Sequence, residues 1–203
     1  MSRLLLVRHG LTESNSTRRF AGYSDVELNA VGYQQVEKLR DRLANEKIDA
    51  VYSSDLRRAL VAAEVISSGH KVDIVTCSEL REINYGSVEG LTFDEISCLY
   101  PDIAESITNF NRGLKFPTGE SFEEFIERTS KFLGRLEKHS PSQTILVVAH
   151  SGPLRVLVCR LLGIDLEHWW QIRLDNASLS VMETYPRGAI ISLLNDVSHL
   201  RVC

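Results

Sequence analysis

The chain is missing most of the features that would place it in a membrane, a zinc module or a disulfide scaffold. Among its 203 residues no apolar run approaches the ~20 that a membrane-spanning helix needs. The apolar stretch behind Met1, Ser2 and Arg3 is also too short for a secretory signal. Cys77, Cys98, Cys159 and Cys203 are scattered with no C-x-x-C pair, which fits reduced thiols and a cytoplasmic location better than disulfides or zinc. Basic excess is absent: 23 Lys and Arg against 27 Asp and Glu leave a formal charge of −4, so neither nucleic acid nor a membrane surface is expected as a partner. There is no internal repeat and no low-complexity segment. What remains, 43% apolar and 25% charged residues, is ordinary for a soluble globular protein. The length suits one α/β domain spanning residues 1–203.

Several reaction classes are missing as well. The sixth residue after Cys77, Cys98 and Cys159 is Ile83, Ala104 and Asp165, so no C-x5-R cysteine phosphatase motif exists. No D-x-D follows a strand, since Asp73 is followed by Ile74 and Val75, and no phosphate-binding G-x-x-x-x-G-K-[ST] loop occurs. H-x-H and H-E-x-x-H are absent too, so no metal and no cofactor are expected.

Leu4-Leu5-Leu6-Val7 shows no polar alternation and predicts a strand buried on both faces, as in a parallel sheet. Residues 144–149 predict another such strand, and both runs end at a histidine, His9 and His150. Further strands are expected at 48–54 and 72–77, with helices at 28–45, 56–67 (capped by Asp55), 92–99, 121–138 and 153–162. Ser121 with Glu124 matches a capping box. Residues 101–120 are the least regular and suggest a loop or small cap over a site. Residues 178–183 and 189–194 predict a hairpin at the sheet edge. Strands alternating with helices imply a three-layer α/β/α architecture, with a mostly parallel sheet and an antiparallel edge.

In parallel sheets, ligand groups gather beyond the carboxyl ends of the strands. A lone Arg8-His9-Gly10 would be equally compatible with a surface turn. If the two strands are neighbours in the sheet, His9 and His150 reach one crevice, and with Arg8, Arg58 and Glu82 converging there they would form a specific chemical outfit. Arginine matches phosphate oxygens bidentately and stays charged. A neutral imidazole can attack phosphorus, and a carboxylate can serve as acid and then base.

Residues 8–15, R-H-G-L-T-E-S-N, resemble the R-H-G-x-T-x-x-N signature of the histidine phosphatase superfamily, which is phosphoglycerate-mutase-like in fold. The similarity continues in family order through residues 20–25, 53–59, 80–90 and 148–152. The resemblance implies that His9 is the phosphorylated nucleophile and Glu82 the proton donor. It further implies that Arg8, Asn15, Arg58 and His150 hold the phosphoryl oxygens. Gly22, Tyr23, Tyr85, Phe110, Phe116 and Ser151 are candidate substrate-lining positions, Ser151 and Thr12 positioning backbone rather than reacting. The expected partner is a small phosphomonoester, and a homodimer is one candidate assembly.

Mutases that this chain resembles carry an arginine directly after the catalytic glutamate and a lysine some ten residues later; Ile83 and Phe93 stand there instead, which favours a phosphatase. Residues 119–122, 145–150, 161–163 and 169–173 resemble the α-ribazole phosphatase branch of cobalamin synthesis. The alternatives are a broad-specificity or phosphoserine phosphatase, a phosphoglycerate mutase and a catalytically inactive binding module. Trp169 and Trp170 are expected to pack rather than stack on substrate, His70, His139 and His168 to be solvated, and His199 has no evident role.

Overall fold

The computed structural model describes residues 2–109, 111 and 113–201. In chain order the elements are β1 (Arg3–Arg8), α1 (Glu13–Ser16), α2 (Ala30–Leu43), β2 (Ala50–Ser53), α3 (Arg57–Ser67), β3 (Ile74–Thr76), α4 (Phe93–Leu99), α5 (Pro101–Thr108), α6 (Phe122–Lys131), α7 (Leu133–Leu136), β4 (Thr144–Ala149), α8 (Ser151–Leu162), β5 (Leu179–Tyr185) and β6 (Gly188–Asp196). The strands form one six-stranded sheet in the order β3-β2-β4-β1-β5-β6. β1, β2, β3 and β4 run parallel, while β5 and β6 are antiparallel at one edge.

The apolar runs explain the layers. In β1, Leu4 and Leu6 face one core while Leu5 and Val7 face the other; in β4, Ile145, Val147 and Ala149 join the first, and Leu146 and Val148 the second. α6 and α8 cover the first face through Phe125, Ile126, Leu154 and Leu157. α2 and α3 cover the second through Val36, Leu39, Leu43, Val61 and Ile66. Each such leucine, fully buried, contributes roughly 1.5–3 kcal/mol of transfer free energy. Among the described residues no helix is long and apolar enough to cross a membrane.

Several expected elements differ in detail. Pro101 ends α4 as expected, but it then starts α5 at the position where a missing amide costs nothing, so much of the stretch taken as irregular is helical. The expected helix over 121–138 breaks at the buried Phe132 into α6 and α7, although the Ser121–Glu124 capping box is present. Asp55 does not cap α3. Its carboxylate holds Arg81 in two bonds of 2.7 and 2.6 Å, and Asp25 takes the Arg57 amide instead. His139 is half-buried rather than solvated, with its Nε2 2.9 Å from the Tyr52 hydroxyl. His199 Nε2 lies 3.0 Å from the Ala177 carbonyl.

Candidate active site

Register brings the two histidines together. Arg8 pairs with Ala149 across β1 and β4, so His9 and His150 leave neighbouring strand ends side by side. Their ring centroids are 5.0 Å apart at an interplanar angle of 61°. His9 Nδ1 lies 2.7 Å from the Gly10 carbonyl, which can only accept, so Nδ1 carries the proton. In the neutral ring this leaves Nε2 with a free lone pair. Burial first, then the charges of Arg58 and Arg8, hold the His9 pKa well below the ordinary imidazole value. His150, fully buried, is depressed by burial, then by Arg58, His9 and Arg8. Its Nε2 is 2.9 Å from the Ser54 hydroxyl, and its buried Nδ1 has no hydrogen-bond partner among the described residues.

The arginines are aimed by backbone carbonyls. Arg58, 2% exposed on the first turn of α3, donates to Ser24 O (2.8 Å) and Gly22 O (2.7 Å). Glu89 shapes that loop by accepting from the amides of Tyr23 and Ser24, each at 2.7 Å, and from the Ser24 hydroxyl. Glu89 is thereby engaged in bracing the loop, and Glu79 is paired with Arg135. Arg8 donates to Leu174 O at 2.7 Å, while its buried Nε has no partner among the described residues. Burial works against the Arg8 and Arg58 charges, and Glu82 works in their favour.

Glu82 enters from the loop that follows β3. Its Oε1 accepts from the Ile83 amide (3.1 Å) and its Oε2 from the Gly152 amide at the start of α8 (3.2 Å). Asn15 closes a capping box with Thr12. Its Oδ1 accepts from the Thr12 hydroxyl (3.0 Å) and from Asn176 Nδ2 (3.0 Å), so its amino group is the end left for an anion.

Arg8, His9, Asn15, Gly22, Arg58, Glu82, Tyr85 and Ser151 line one pocket of about 220 Å³. His150 stands behind His9. A second, aromatic-walled cavity of about 130 Å³ adjoins it, with Phe20 and Tyr85 lining both. Phe116 belongs to this second cavity and not to the pocket. Tyr23 is a correction: it does not line the pocket, because its ring is held behind it by the guanidinium groups of Arg81 and Arg128, 5.1 and 5.7 Å from its centroid. Phe110 lies outside the described residues. Trp169 does pack, against Phe122 at 4.9 Å, but it also walls the cavity; Trp170 is 43% exposed.

Four contributors carried no readable signal. Arg18 and Arg19 reach the pocket mouth. Asn176 Nδ2, 3.3 Å from both His9 O and Gly10 O, arrives from the loop before β5. Arg155 is the fourth. It lies one helical turn beyond Ser151, donates Nε–H to Ile172 O at 2.6 Å and sits 5.6 Å over the Trp169 ring. A cation one turn into an apolar helix does not announce its orientation in sequence. Among the described residues no three His, Cys, Asp or Glu side chains group as a metal site would require.

The sequence matches the histidine phosphatase superfamily (branch 1) over residues 4–197. The chain belongs to that family. It is 33% identical to phosphoserine phosphatase 1 of Hydrogenobacter thermophilus, over 98% of this chain and 95% of that one. It is 31% identical to the adenosylcobalamin/alpha-ribazole phosphatase of Escherichia coli, over 95% of each. The solved alpha-ribazole phosphatase of Shigella flexneri superposes with a TM-score of 0.89 at 29% identity, over 96% of both chains. The family and its phosphatase relatives make this chain a phosphatase.

Proposed function

We propose that this phosphatase hydrolyses phosphomonoesters through a phosphohistidine at His9. The observation that carries the reading is the His9 Nδ1 bond to Gly10 O, which leaves Nε2 as the nucleophile in a pocket shared with Glu82. Nε2 attacks phosphorus and the P–O ester bond breaks, with Glu82 giving its proton to the departing alkoxide. Water then attacks the phosphohistidine, Glu82 takes a proton back, and phosphate leaves. A phosphomonoester is nearly a dianion at neutral pH. Arg8 and Arg58 offset that charge as the phosphoryl group transfers, with the Asn15 amino group and the neutral His150 imidazole in this reading supplying hydrogen bonds. An accepting phosphoryl oxygen would also partner the orphaned Arg8 Nε, and an unmade buried bond of this kind costs about 1–3 kcal/mol. The test is His9→Ala: brief exposure to ³²P-labelled substrate should label the wild type covalently and the variant not at all, with turnover lost. A variant that keeps turnover rejects His9.

For the substrate, the reading is α-ribazole 5′-phosphate, within cobalamin nucleotide-loop assembly. The aromatic cavity beside the pocket supports a flat apolar leaving group, and apolar walls with few polar contacts suit such ligands. Ile83, at the position of the mutase arginine, is one of those walls. Residues 101–120 act as the cap in this reading, with Ser106, Ile107, Leu114 and Phe116 on the cavity. A second reading, phosphoserine, draws support from Arg155. Among the described residues its Nη groups have no acceptor, which suits a carboxylate on the leaving group. A panel of α-ribazole phosphate, phosphoserine, 3-phosphoglycerate and sugar phosphates separates these. A preference for α-ribazole phosphate below about tenfold in kcat/KM, or about 1.4 kcal/mol, would reject it. Arg155→Met should depress phosphoserine turnover selectively if the second reading holds. Residues 1–203 form one domain in this reading, and the free thiols of Cys77, Cys98 and Cys159 support a cytoplasmic setting.

A further inference from the structure

Glu82 sits on a loop rather than on a strand or helix, and the loop has to be told where to stand. Arg128, projecting from α6, reaches across to it. Its Nη1 lies 3.1 Å from each of the carbonyls of Ser78, Glu79 and Arg81, and its Nη2 donates to the carbonyl of Glu82 itself at 3.2 Å. The other edge of the guanidinium is locked by Glu120, through Nε to Oε1 (2.7 Å) and Nη2 to Oε2 (2.9 Å). Glu120 Oε2 also accepts the amide of Asn84, two residues beyond Glu82, at 3.0 Å. The pair therefore grips the loop on both sides of Glu82. The plane of Arg128 is fixed in turn by the rings of Phe125 and Tyr23, 5.5 and 5.7 Å from its centre.

Beyond Asn84 the loop is pinned again. Glu120 N donates to Asn84 O (2.9 Å) and Ser87 N to Pro117 O (2.8 Å). A Cβ on Gly119 would lie 2.3 Å from Asn84 O, so backbone touches backbone there. None of these groups reaches the pocket, and Arg128 is absent from its lining.

We propose that Arg128, braced by Glu120, is a positioning residue that sets the Glu82 carboxylate against the leaving-group oxygen. The proposal rests on Glu82 being the acid. Its signature differs from that of a purely structural residue, because a misplaced acid harms only esters whose leaving group needs a proton. A displacement of about 1 Å at a reacting group can cost on the order of 10²-fold.

The experiment compares kcat/KM on p-nitrophenyl phosphate and β-glycerophosphate for wild type, Arg128→Met, Glu82→Gln and the double variant, each checked for native circular dichroism. Arg128→Met should raise the aryl-to-alkyl ratio at least about tenfold, with the double variant no worse than Glu82→Gln alone on the alkyl ester. Glu120→Gln, which keeps an acceptor for Asn84 N, should shift the ratio the same way by a smaller factor, and it stands in if Arg128→Met does not fold. A ratio unmoved by the folded clamp variants beside a raised ratio in Glu82→Gln overturns the clamp alone. An unmoved ratio in Glu82→Gln removes Glu82 as the acid, and the clamp falls with it.

Discussion

The Gly152 amide donates to Glu82 Oε2 at 3.2 Å, and a Cβ placed on Gly152 would stand 2.1 Å from Glu82 Oε1 and 3.0 Å from Phe125 Cζ. The turn after His150 therefore serves two groups at once: it presents the histidine and it seats the carboxylate that arrives from the other side of the pocket. Gly152→Ala should leave the fold standing but push Glu82 aside. Turnover of alkyl phosphates should drop by roughly 10–100-fold, with a smaller loss on p-nitrophenyl phosphate, whose leaving group hardly needs a proton. Equal losses on both esters would mean that Gly152 matters for something other than Glu82.

Stability should fall as the solution is acidified through the histidine range. His9 and His150 are held well below 6.5, by burial first and by Arg58 among the nearby charges, and His199 is depressed by burial and then by Arg42. Above that value folded and unfolded chains are both neutral at these sites. Below it the unfolded chain binds protons that the native one refuses. Each such histidine then removes about 1.4 kcal/mol per pH unit until its folded pKa is reached. Urea unfolding followed from about pH 7 to 5 should show this slope, and His150→Gln should remove its share. Asp55, held below 3.8 chiefly by its hydrogen bond to Arg81, gives up its contribution only at lower pH.

Trp169→Ala should separate binding from chemistry. Trp169 packs on Phe122 and Phe125 and walls the cavity without touching the catalytic pocket. The expected result is a KM raised about tenfold for an aromatic phosphomonoester, with kcat little changed and about 2 kcal/mol lost from unfolding. A fall in kcat at unchanged KM would place Trp169 in the chemistry instead.

Hydrolysis of p-nitrophenyl phosphate should survive exhaustive dialysis against a chelator. In the proposed mechanism the charge of the phosphoryl group is met by Arg8 and Arg58, which line the pocket and need no ion between them and the ester. Loss of activity that magnesium restores would contradict that account.

Much of this molecule is written in short stretches. Leu4 to Val7 and residues 144–149 are legible as two-face-buried strands because a parallel sheet tolerates no polar alternation, and Ser121 with Glu124 is legible because a capping box spans one turn. Arg8, His9, Arg58 and His150 sit beside strand ends or a helix start that local pattern marks, whereas Glu82, on a loop, was picked out by the family resemblance alone. Tyr23 was misplaced for the opposite reason. Its neighbours Gly22 and Ser24 orient Arg58 through their carbonyls, while its own side chain turns away to lie between Arg81 and Arg128.

The order and spacing of residues determined by themselves where the two buried strands lie and which histidines end them, since these depend on neighbours within a turn or two. Only the tertiary structure decided that β1 and β4 are adjacent, and so that the two imidazoles stand 5.0 Å apart. It alone revealed Asn176, Arg155 and Arg128, whose partners lie 17 to 167 residues away in the chain. Contacts of that kind depend on how helices pack onto the two faces of the sheet, and no local periodicity encodes them.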